Sequence, residues 1–386
     1  MGKRKLKAGM VGGGIGASIG PVHRMALRLD GEAQIVAGAF SANPEKSKES
    51  ASQLGVAPER SYDDYRQMAQ AESKLSEGER IDFAVIVTPN TSHFEVARCL
   101  LESGFHVVCE KPMGVTLDQA KTLQAVVRKT RKTLMLPHAY TGYPMVKQAR
   151  HLVHSGELGK IRKVVVQYYQ GWVPYRLKVQ AVPSKAWKFD PAFTGPSLTV
   201  ADIGIHTENL ARYVTGLQIE ELCADSTSFM AGQGLEDDAS VLVRYKGGAR
   251  GLLHFSQMAT GERNGLVLRV YGDKKSLTWA QETPESLVVS DLQRMDSILH
   301  KGGPYLCDQA RAAGRLPLGH PDGLVEAFAN LYLAFFEAIR NPGRDAGSER
   351  EDFPDVDDGV IGLGFVETVL ESSRSDKKWI RMKGRS

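Results

Sequence analysis

Cysteine is scarce in this sequence, and its spacing does not suit metal or disulfide chemistry. The four cysteines stand far apart, and no CxxC pair occurs among them. This argues against a zinc ribbon, a redox dithiol and a disulfide scaffold. A reducing compartment fits the composition best, so we expect a cytoplasmic protein.

Long apolar runs are also missing. Gly, Pro or a charged residue interrupts every apolar run well before the roughly 18 residues that a membrane span needs. The basic N-terminus leads into a glycine-rich loop and not into an apolar stretch, so no signal peptide is expected. The formal net charge is only +4, and the Lys/Arg clusters contain few aromatic residues. We therefore expect neither a membrane nor a nucleic acid as a partner.

The chain does have the length and the apolar content for two or three domains. It contains 386 residues, of which 42% are hydrophobic and 24% are charged. Up to about residue 136, short β-branched runs alternate with segments of helical period, which is typical of βαβ units. The pattern predicts a doubly wound, parallel Rossmann sheet in residues 1–137. Its predicted strands are Lys7–Val11, Gln34–Phe40, Ile81–Val87, His106–Cys109 and Leu134–Leu136.

The pattern changes after Pro137. Strand-like runs are then joined by short turn signals such as Lys246-Gly247-Gly248, which favour antiparallel hairpins. We predict a second domain, residues 138–386, of the α+β class, built on an open, mainly antiparallel sheet. Amphipathic segments near residues 324–340 and 358–373 are predicted to be the helices that close this domain.

A glycine loop, residues 12–20, follows the first predicted strand. It reads Gly12-Gly13-Gly14-Ile15-Gly16-Ala17-Ser18-Ile19-Gly20. Glycines in this place let the backbone approach a pyrophosphate and direct amide N–H groups toward it from a helix N-terminus. We favour dinucleotide binding over a plain tight turn, with Gly12, Gly14, Ile19 and Gly20 as candidate residues. Ile19-Gly20 comes later than in a minimal GxGxxG turn, so the individual phosphate contacts stay open.

The residues after the second predicted strand bear on the choice of cofactor. A fold specific for NAD usually places an acidic residue here, on the ribose 2′-hydroxyl, and this sequence has Ser41-Ala42-Asn43 instead. Ser41, Asn43 and the nearby Lys46 can accept a 2′-phosphate, although Lys46 is as readily a solvated helix residue. We expect NAD or NADP, with a slight preference for NAD, because a full arginine clamp for the 2′-phosphate is missing.

Two further strand ends and one helix carry polar side chains suited to chemistry. Thr88-Pro89-Asn90 with His93 follows one strand, and Glu110-Lys111-Pro112 follows the next. Ligands of open α/β sheets bind at this carboxyl edge. Asp202 and His206 lie four residues apart, hence on one helical face, and resemble an acid/base couple.

Taken together, these motifs resemble the Gfo/Idh/MocA oxidoreductases, which include glucose–fructose oxidoreductase and inositol 2-dehydrogenase. The resemblance rests on the glycine loop with His23, Thr88-Pro89-Asn90 with His93, Glu110-Lys111-Pro112 and Asp202-Ile203-Gly204-Ile205-His206. It covers essentially the whole chain. The resemblance implies a first domain that binds NAD or NADP and a substrate that is a sugar, cyclitol or sugar derivative. It also implies a homodimer or homotetramer formed through the open sheet of the second domain.

The resemblance also assigns roles to individual residues. Lys111 matches the lysine that bonds the reacting hydroxyl, and Asp202 and His206 match the pair that binds substrate and shuttles its proton. Cofactor contacts are expected from the glycine loop, Ser41, Thr88, Pro89, Asn90, His93, Glu110 and Lys111. Around the expected substrate, aromatic stacking and hydrogen bonding suit a sugar ring, with core or surface packing as the alternative for each position. These positions are Tyr168, Trp187, Lys188, His138, Tyr140 and His320-Pro321-Asp322-Gly323.

Two features separate this chain from inositol dehydrogenase. The phosphate loop is longer, and the acidic residue after the second strand is missing. Neither the cofactor preference nor the substrate of that enzyme can therefore be transferred to this chain.

The histidine spacing does not indicate a metal site. No HxxxH or HExxH spacing occurs. His151 and His154 stand a turn apart on a cationic segment without an evident third ligand. We expect no catalytic metal.

The predicted function is that of an NAD(P)-dependent dehydrogenase or reductase. It would move a hydride between nicotinamide and a secondary alcohol or ketone of a sugar or cyclitol. One alternative is a glycoside hydrolase or lyase that uses transient oxidation and yields no net reduced cofactor. Another is a non-catalytic regulator that binds the nucleotide. The presence of Lys111, Asp202 and His206 together argues against the regulator, because binding alone needs no proton pathway.

Overall fold

The computed structural model describes residues 4–178, 187–230, 234–341 and 352–384. Residues 1–3 of the basic N-terminus lie outside the described residues. The chain divides into two compact units. Unit 1 comprises Met1–Ala139 and Leu324–Val360, and unit 2 comprises Tyr140–Gly323 and Ile361–Ser386. No helix in the described ranges combines the length and the apolarity needed to cross a membrane.

Unit 1 contains the predicted Rossmann sheet. All its strand pairs are parallel, and within the described residues the five strands follow the order β2-β1-β3-β4-β5. The buried strands are almost continuously apolar because helices cover both faces of such a sheet. The predicted parallel architecture is therefore confirmed. The strands are β1 (Leu6–Gly12), β2 (Ala33–Ala39), β3 (Phe83–Val87), β4 (His106–Cys109) and β5 (Leu134–Met135).

The helices between these strands begin at recognisable capping residues. Asn43 accepts a hydrogen bond from the Lys46 amide, and Pro44 occupies the first turn of α2. Asp64 caps α3 and Thr116 caps α5 in the same way. The helices are α1 (Gly20–Leu29), α2 (Pro44–Gln53), α3 (Tyr65–Glu72), α4 (Asn90–Glu102) and α5 (Leu117–Thr130).

Helix α11 (Leu324–Arg340) forms where a closing helix was predicted, but it belongs to unit 1. Its aromatic face packs on the Rossmann sheet: the Phe335 and Phe336 rings lie 5.4 and 5.6 Å from the Phe83 ring of β3. The predicted grouping of residues 324–340 with the second domain thus differs from the compact units. Helix α12 (Val356–Arg374) matches the other predicted closing helix. The division into domains 1–137 and 138–386 stays a prediction.

Unit 2 is built on a large mixed sheet, as predicted. Among the described residues the strand order is β13-β12-β11-β10-β6-β9-β8-β7-β14, and only β6 and β9 pair in parallel. The strands are β6 (Lys163–Tyr169), β7 (Ile219–Thr227), β8 (Asp238–Tyr245), β9 (Arg250–Ser256), β10 (Gly265–Tyr271), β11 (Lys275–Ala280), β12 (Ser286–Asp291), β13 (Asp296–His300) and β14 (Trp379–Arg381). Its helices are α6 (Pro144–His154), α7 (Trp172–Lys178), α8 (Pro191–Thr194), α9 (Ile205–Thr215) and α10 (Asp308–Ala313).

One face of this sheet carries an apolar row that is not buried. The row follows paired positions across eight neighbouring strands, and Leu242 and Ile298 in it are 50% and 55% exposed. The residues one position along each strand point to the other face and are largely buried. The apolar row comprises Cys223, Leu242, Leu252, Val165, Val288 and Ile298, and the two positions between Val165 and Val288 are occupied by Arg269 and Thr278.

His106, at the start of β4, makes the stability of the fold depend on pH. Its Nδ1 accepts a hydrogen bond from the Thr133 amide at 3.0 Å. Burial, with a smaller contribution from Lys132, lowers the pKa of His106 to about 4. Between the ordinary histidine pKa of about 6.5 and this value, the unfolded chain binds more protons than the folded chain. The free energy of unfolding therefore falls as the pH falls through this window.

We expect His106 to contribute up to about 3 kcal/mol of stability at pH 7 that is lost by pH 4, since one pKa unit corresponds to about 1.4 kcal/mol. Urea unfolding of wild type and His106→Asn at both pH values measures the contribution. Asparagine retains an acceptor for Thr133 but does not titrate. Equal losses in the two proteins would contradict this assignment.

Candidate active site

The glycine loop is held by close backbone contacts in unit 1. A Cβ at Gly20 would lie 2.5 Å from the Gly13 carbonyl oxygen, so the start of α1 can approach the loop only without a side chain. A Cβ at Gly14 would lie 2.9 Å from the Phe40 carbonyl oxygen, and the Gly14 amide donates to that oxygen. Gly14 thus connects β1 to the end of β2. Its absent side chain serves packing within the protein.

The loop also fits the pyrophosphate of a dinucleotide. Gly16 has a φ of +82°, and a Cβ there would meet no atom of the described residues within 4 Å. Ile19 precedes α1 without a side-chain cap on the first turn. The amides of Gly14, Ile15 and Ala17 donate within the protein, so the start of α1 is the part of this segment suited to an anion. Cofactor contacts from Gly12, Gly14, Ile19 and Gly20 stay a prediction.

Ser41 and Asn43 follow β2 at the edge where the adenosine ribose would bind. The Ser41 hydroxyl accepts a hydrogen bond from the Asn43 amide at 3.1 Å. The Asn43 side chain is used as the cap of α2. Ser41 is therefore the better candidate for a ribose contact, and Asn43 mainly shapes the turn.

Thr88, Pro89 and Asn90 connect β3 to α4 at the same edge of the sheet. The Ser92 hydroxyl donates to Thr88 Oγ1 at 2.7 Å and fixes this turn. His93 is buried, and its two ring nitrogens lie 2.6 and 2.7 Å from the carbonyl oxygens of Pro112 and Thr88. Burial lowers the pKa of His93, whereas the two carbonyl contacts favour its charged form. His93 thus joins the turns after β3 and β4, and the cofactor contact expected of it stays a prediction.

Glu110 and Lys111 follow β4, and a buried chain of hydrogen bonds holds them. Glu110 Oε1 lies 2.9 Å from His23 Nε2, and His23 Nδ1 lies 2.7 Å from the Tyr332 hydroxyl. A carboxylate only accepts, so Nε2 donates to Glu110, and Nδ1 is paired with the Tyr332 hydroxyl. The other Glu110 oxygen accepts the Lys111 amide at 3.1 Å. Tyr332 belongs to α11, so this helix helps to position Lys111.

The charge of Glu110 follows from these contacts. Burial by itself would raise the pKa of Glu110, but the hydrogen bond from His23 and the positive charge of Lys111 outweigh it and lower the pKa. Glu110 is therefore ionised at neutral pH. A fixed anion at the end of β4 holds the Lys111 backbone and stabilises a positive charge beside it.

In unit 2, Asp202 lies in a π-helical turn, Val200–Gly204, directly before α9. Asp202 Oδ2 accepts hydrogen bonds from Lys188 Nζ at 2.7 Å and from Gln257 Nε2 at 2.8 Å. The Lys188 ammonium also lies 5.5 Å from the centre of the Trp172 ring. Two donors on one oxygen favour the ionised carboxylate, so Asp202 is better suited to stabilise positive charge than to carry a proton.

His206 follows one turn later, in the first turn of α9. Its ring is packed edge-on against Tyr140, with centroids 5.0 Å apart, and lies 6.3 Å from the Tyr168 ring. The Tyr140 and Tyr168 hydroxyls contact each other, and Tyr168 donates to Asn264 Oδ1 at 2.8 Å. Gln170 Nε2 donates to the same oxygen at 2.7 Å. His206 thus borders a cluster of hydroxyl and amide groups.

This cluster is continuous with the partners of Asp202. Gln257 Nε2 also lies 3.2 Å from Gln170 Oε1, which in turn accepts from the Trp172 indole at 3.1 Å. The structure therefore brings together four of the predicted substrate residues, Tyr168, Lys188, Asp202 and His206, with Tyr140. Trp187 precedes Lys188 and is 38% exposed. Sequence patterns missed Gln170, Gln257 and Asn264, whose only signal is a polar residue just beyond or before a strand.

His320 lies apart from this group in its contacts. It is exposed, in the loop before α11, and its carbonyl oxygen accepts a hydrogen bond from the buried Lys301. Among the residues that the structure describes, no hydrogen bond joins His320 to the Asp202 cluster. Its role in substrate binding stays a prediction.

Potential metal ligands do not cluster in the described residues. No group of three or more His, Cys, Asp or Glu side chains there is placed to hold a metal ion. His206 and Asp202 have the protein partners given above. The chemistry available to these side chains is hydrogen bonding, charge stabilisation and proton transfer.

Two family models match the chain. One, described as the oxidoreductase family with an NAD-binding Rossmann fold, matches residues 6–138. The other, described as the GFO/IDH/MocA C-terminal domain, matches residues 146–278. Together they cover most of both units.

Individual relatives agree with these models. The chain is 34% identical over 385 residues to an uncharacterized oxidoreductase, YfiI, of Bacillus subtilis, with 98% of each chain covered. It is 25% identical over 318 residues to levoglucosan dehydrogenase of Pseudarthrobacter phenanthrenivorans, covering 74% of this chain and 76% of that enzyme. An inositol dehydrogenase homolog from Azotobacter vinelandii, solved with NADH and myo-inositol, aligns with a TM-score of 0.90 at 35% identity over 98% of both chains.

Proposed function

Because this chain belongs to the Gfo/Idh/MocA family of oxidoreductases with an NAD-binding Rossmann fold, we propose that it is a cyclitol or sugar dehydrogenase. It oxidises a secondary alcohol to a ketone with NAD, or catalyses the reverse reaction. The observation that carries this proposal is the Asp202–His206 segment, where a doubly hydrogen-bonded carboxylate precedes an imidazole by one turn. A chain that only binds the nucleotide would not need this pair.

We assign to His206 the role of accepting the proton of the reacting hydroxyl group. Histidine is the side chain whose ordinary pKa lies nearest to neutrality, so it can accept and return a proton at physiological pH. The ionised Asp202 stabilises the imidazolium that forms. Lys188 and Gln257 hold Asp202 in this state through their hydrogen bonds to Oδ2.

Lys111 is assigned the stabilisation of negative charge on the substrate oxygen. An ordinary lysine, with a pKa of about 10.4, is a poor base at neutral pH, so it acts as a cationic hydrogen-bond donor. Glu110 holds its backbone through the amide contact at 3.1 Å. Bound nicotinamide supplies the hydride acceptor or donor, and the glycine loop, Ser41 and the Thr88–Asn90 turn are the residues that would hold the dinucleotide.

A polyol substrate is supported by the groups around His206. Tyr140, Tyr168, Gln170 and Asn264 offer hydroxyl and amide groups beside aromatic ring edges, a combination that suits a hydroxylated ring. The Azotobacter vinelandii homolog was crystallised with myo-inositol, which makes cyclitols the first compounds to test.

The test is a panel of inositols, aldoses and glycosides, each incubated with NAD and, separately, with NADP. Formation of reduced nicotinamide in step with a ketone product is the expected result, with NAD preferred. Cleavage of a glycoside without net reduction would instead identify the transient-oxidation alternative. Nucleotide binding without turnover of any compound would favour the regulator.

Activity should persist after exhaustive dialysis against a chelator, since no group of three or more His, Cys, Asp or Glu side chains in the described residues is placed to hold a metal ion. Turnover before and after dialysis, with and without added zinc or manganese, provides the measurement. A loss that only a metal ion restores would contradict the proposed proton pathway.

A homo-oligomer formed through the large sheet is also part of the proposal. The apolar row leaves six apolar side chains unburied along one face, and such stripes favour association. Light scattering should give two or four chain masses for wild type, and Leu242→Glu with Ile298→Glu should shift the mass toward one chain. Leu75→Glu, at an exposed leucine of unit 1, is the matched control. An unchanged mass in the double variant would contradict the assigned interface.

A further inference from the structure

The segment that leads into the π-helical turn is fastened by a buried carboxylate from another part of unit 2. Glu236 stands just before β8, and its Oε1 accepts three hydrogen bonds. The donors are the Ser197 hydroxyl at 2.6 Å and the amides of Leu198 and Val200, both at 3.0 Å. The Ser197 oxygen in turn accepts the Ala201 amide at 3.0 Å. The Glu236 carboxylate and the Ser197 hydroxyl together accept the backbone amides at the start of the turn, which have no partner within the helix.

A second buried side chain holds the same segment from the end of β9. Gln257 Oε1 accepts a hydrogen bond from the Thr199 hydroxyl at 2.9 Å, while its Nε2 donates to Asp202 at 2.8 Å. The backbone N–H of Gln257 also donates to the Asp237 carbonyl oxygen at 2.9 Å. Gln257 is therefore adjacent in space to the residue that follows Glu236. Glu236 and Gln257 thus lie next to the paired strands β8 and β9, Glu236 before β8 and Gln257 after β9.

We propose that Glu236 and Gln257 are positioning residues, which hold the π-helical turn so that Asp202 and His206 keep their catalytic orientation. This inference rests on the proposed function for the roles of Asp202 and His206. This role does not require either residue to contact the reacting atoms. Glu236 acts through the backbone of residues 198–201, and Gln257 acts through Thr199 and the carboxylate of Asp202.

The physical reason lies in the kind of turn. A π-helical turn is rare, occurs mostly as a single turn within an α-helix, and is frequently found at functional sites. External hydrogen bonds can stabilise it, and here they come from Glu236, Ser197 and Gln257. Without them the turn can relax toward α-helical geometry. That change would rotate Asp202 relative to His206, and displacements of about 1 Å are enough to slow a reaction by about 10²-fold.

Glu236→Ala and Glu236→Gln separate position from charge. Glutamine retains an oxygen that can accept the same three donors, whereas alanine retains none. We expect Glu236→Ala to lower kcat about tenfold with the KM for NAD changed less than twofold, and Glu236→Gln to stay within about threefold of wild type. Equal losses in the two variants would overturn the proposal, as would full activity of Glu236→Ala.

A second comparison tests whether the effect passes through His206. In a His206→Ala background, Glu236→Ala should cost less than a further twofold, because groups that serve one transition state are not additive. A full further tenfold loss would show a general structural defect and overturn the proposal. If His206→Ala itself left turnover unchanged, the proposed function would fail, which is a different outcome from failure of the clamp.

If Glu236→Ala does not fold, Thr199→Val takes its place. Valine fills the same space but cannot donate to Gln257, so kcat should fall about threefold and the NMR titration midpoint of His206 should shift measurably. The matched control is Thr215→Val, at a buried threonine of α9 whose hydroxyl donates to the Ala211 carbonyl oxygen. It should change neither kcat nor the His206 midpoint. An unmoved His206 midpoint with full kcat in Thr199→Val would overturn the role of Gln257.

Discussion

Replacing Lys111 by alanine should lower turnover by about 10²-fold or more, the scale expected when a positioned charge-stabilising or acid/base group is removed. Cofactor affinity should change far less, because the glycine loop and the turns after β2 and β3 remain. Steady-state kinetics on an authentic substrate gives the turnover, and fluorescence titration with NADH gives the affinity.

Two controls make the Lys111 result specific. Lys121→Ala removes an exposed lysine of α5 and should leave turnover within about twofold of wild type. Tyr332→Phe keeps the aromatic packing of α11 but removes the hydroxyl that contacts His23, so it should produce a smaller loss than Lys111→Ala. Full activity of Lys111→Ala would remove the role assigned to this lysine while leaving the fold and its nucleotide binding intact.

The second large effect is expected at His206. His206→Ala should lower turnover by about 10²-fold or more, and the pH profile of kcat/KM should lose one limb, since histidine titrates near neutrality. Asp202→Asn should also be damaging, because a neutral amide neither stabilises the imidazolium nor balances the Lys188 ammonium at 2.7 Å. A pH profile in His206→Ala that keeps both limbs would contradict the assignment of the proton to His206.

The double variant Lys111→Ala with His206→Ala completes this series. It should be scarcely slower than the poorer single variant, because both groups serve one transition state. Multiplicative losses would mean that the two residues act in separate steps.

The sequence was informative about elements with a regular period and about dense motifs. The β-branched runs predicted all five parallel strands of unit 1, because a sheet covered on both faces requires nearly continuous apolar residues. The helix at residues 324–340 was predicted from its amphipathic pattern. Its location was not, since an apolar face shows only that a helix is buried and leaves its partner open. Here that partner is the Phe83 side of the Rossmann sheet.

The site was predictable to a different degree. Asp202 and His206 stand four residues apart in one helical segment, so the pair is a local motif that the sequence reveals. Gln257, Gln170 and Asn264 join them only because β6 pairs with β9 and β10 over long distances in sequence. A single Asn or Gln next to a strand forms no sequence pattern that predicts such a contact. His93 also stands in a motif, and the motif did not show that both of its ring nitrogens contact backbone carbonyl oxygens.

The proposed hydride transfer can be followed directly with a deuterated substrate. Each cyclitol or sugar that supports turnover is prepared with deuterium on the carbon that becomes the ketone, and the reduced nucleotide is isolated after reaction with NAD. We expect deuterium at C4 of the nicotinamide, in an amount equal to the ketone formed. Reduced nucleotide without deuterium, or a cleaved substrate with the nucleotide still oxidised, would contradict the proposed hydride transfer.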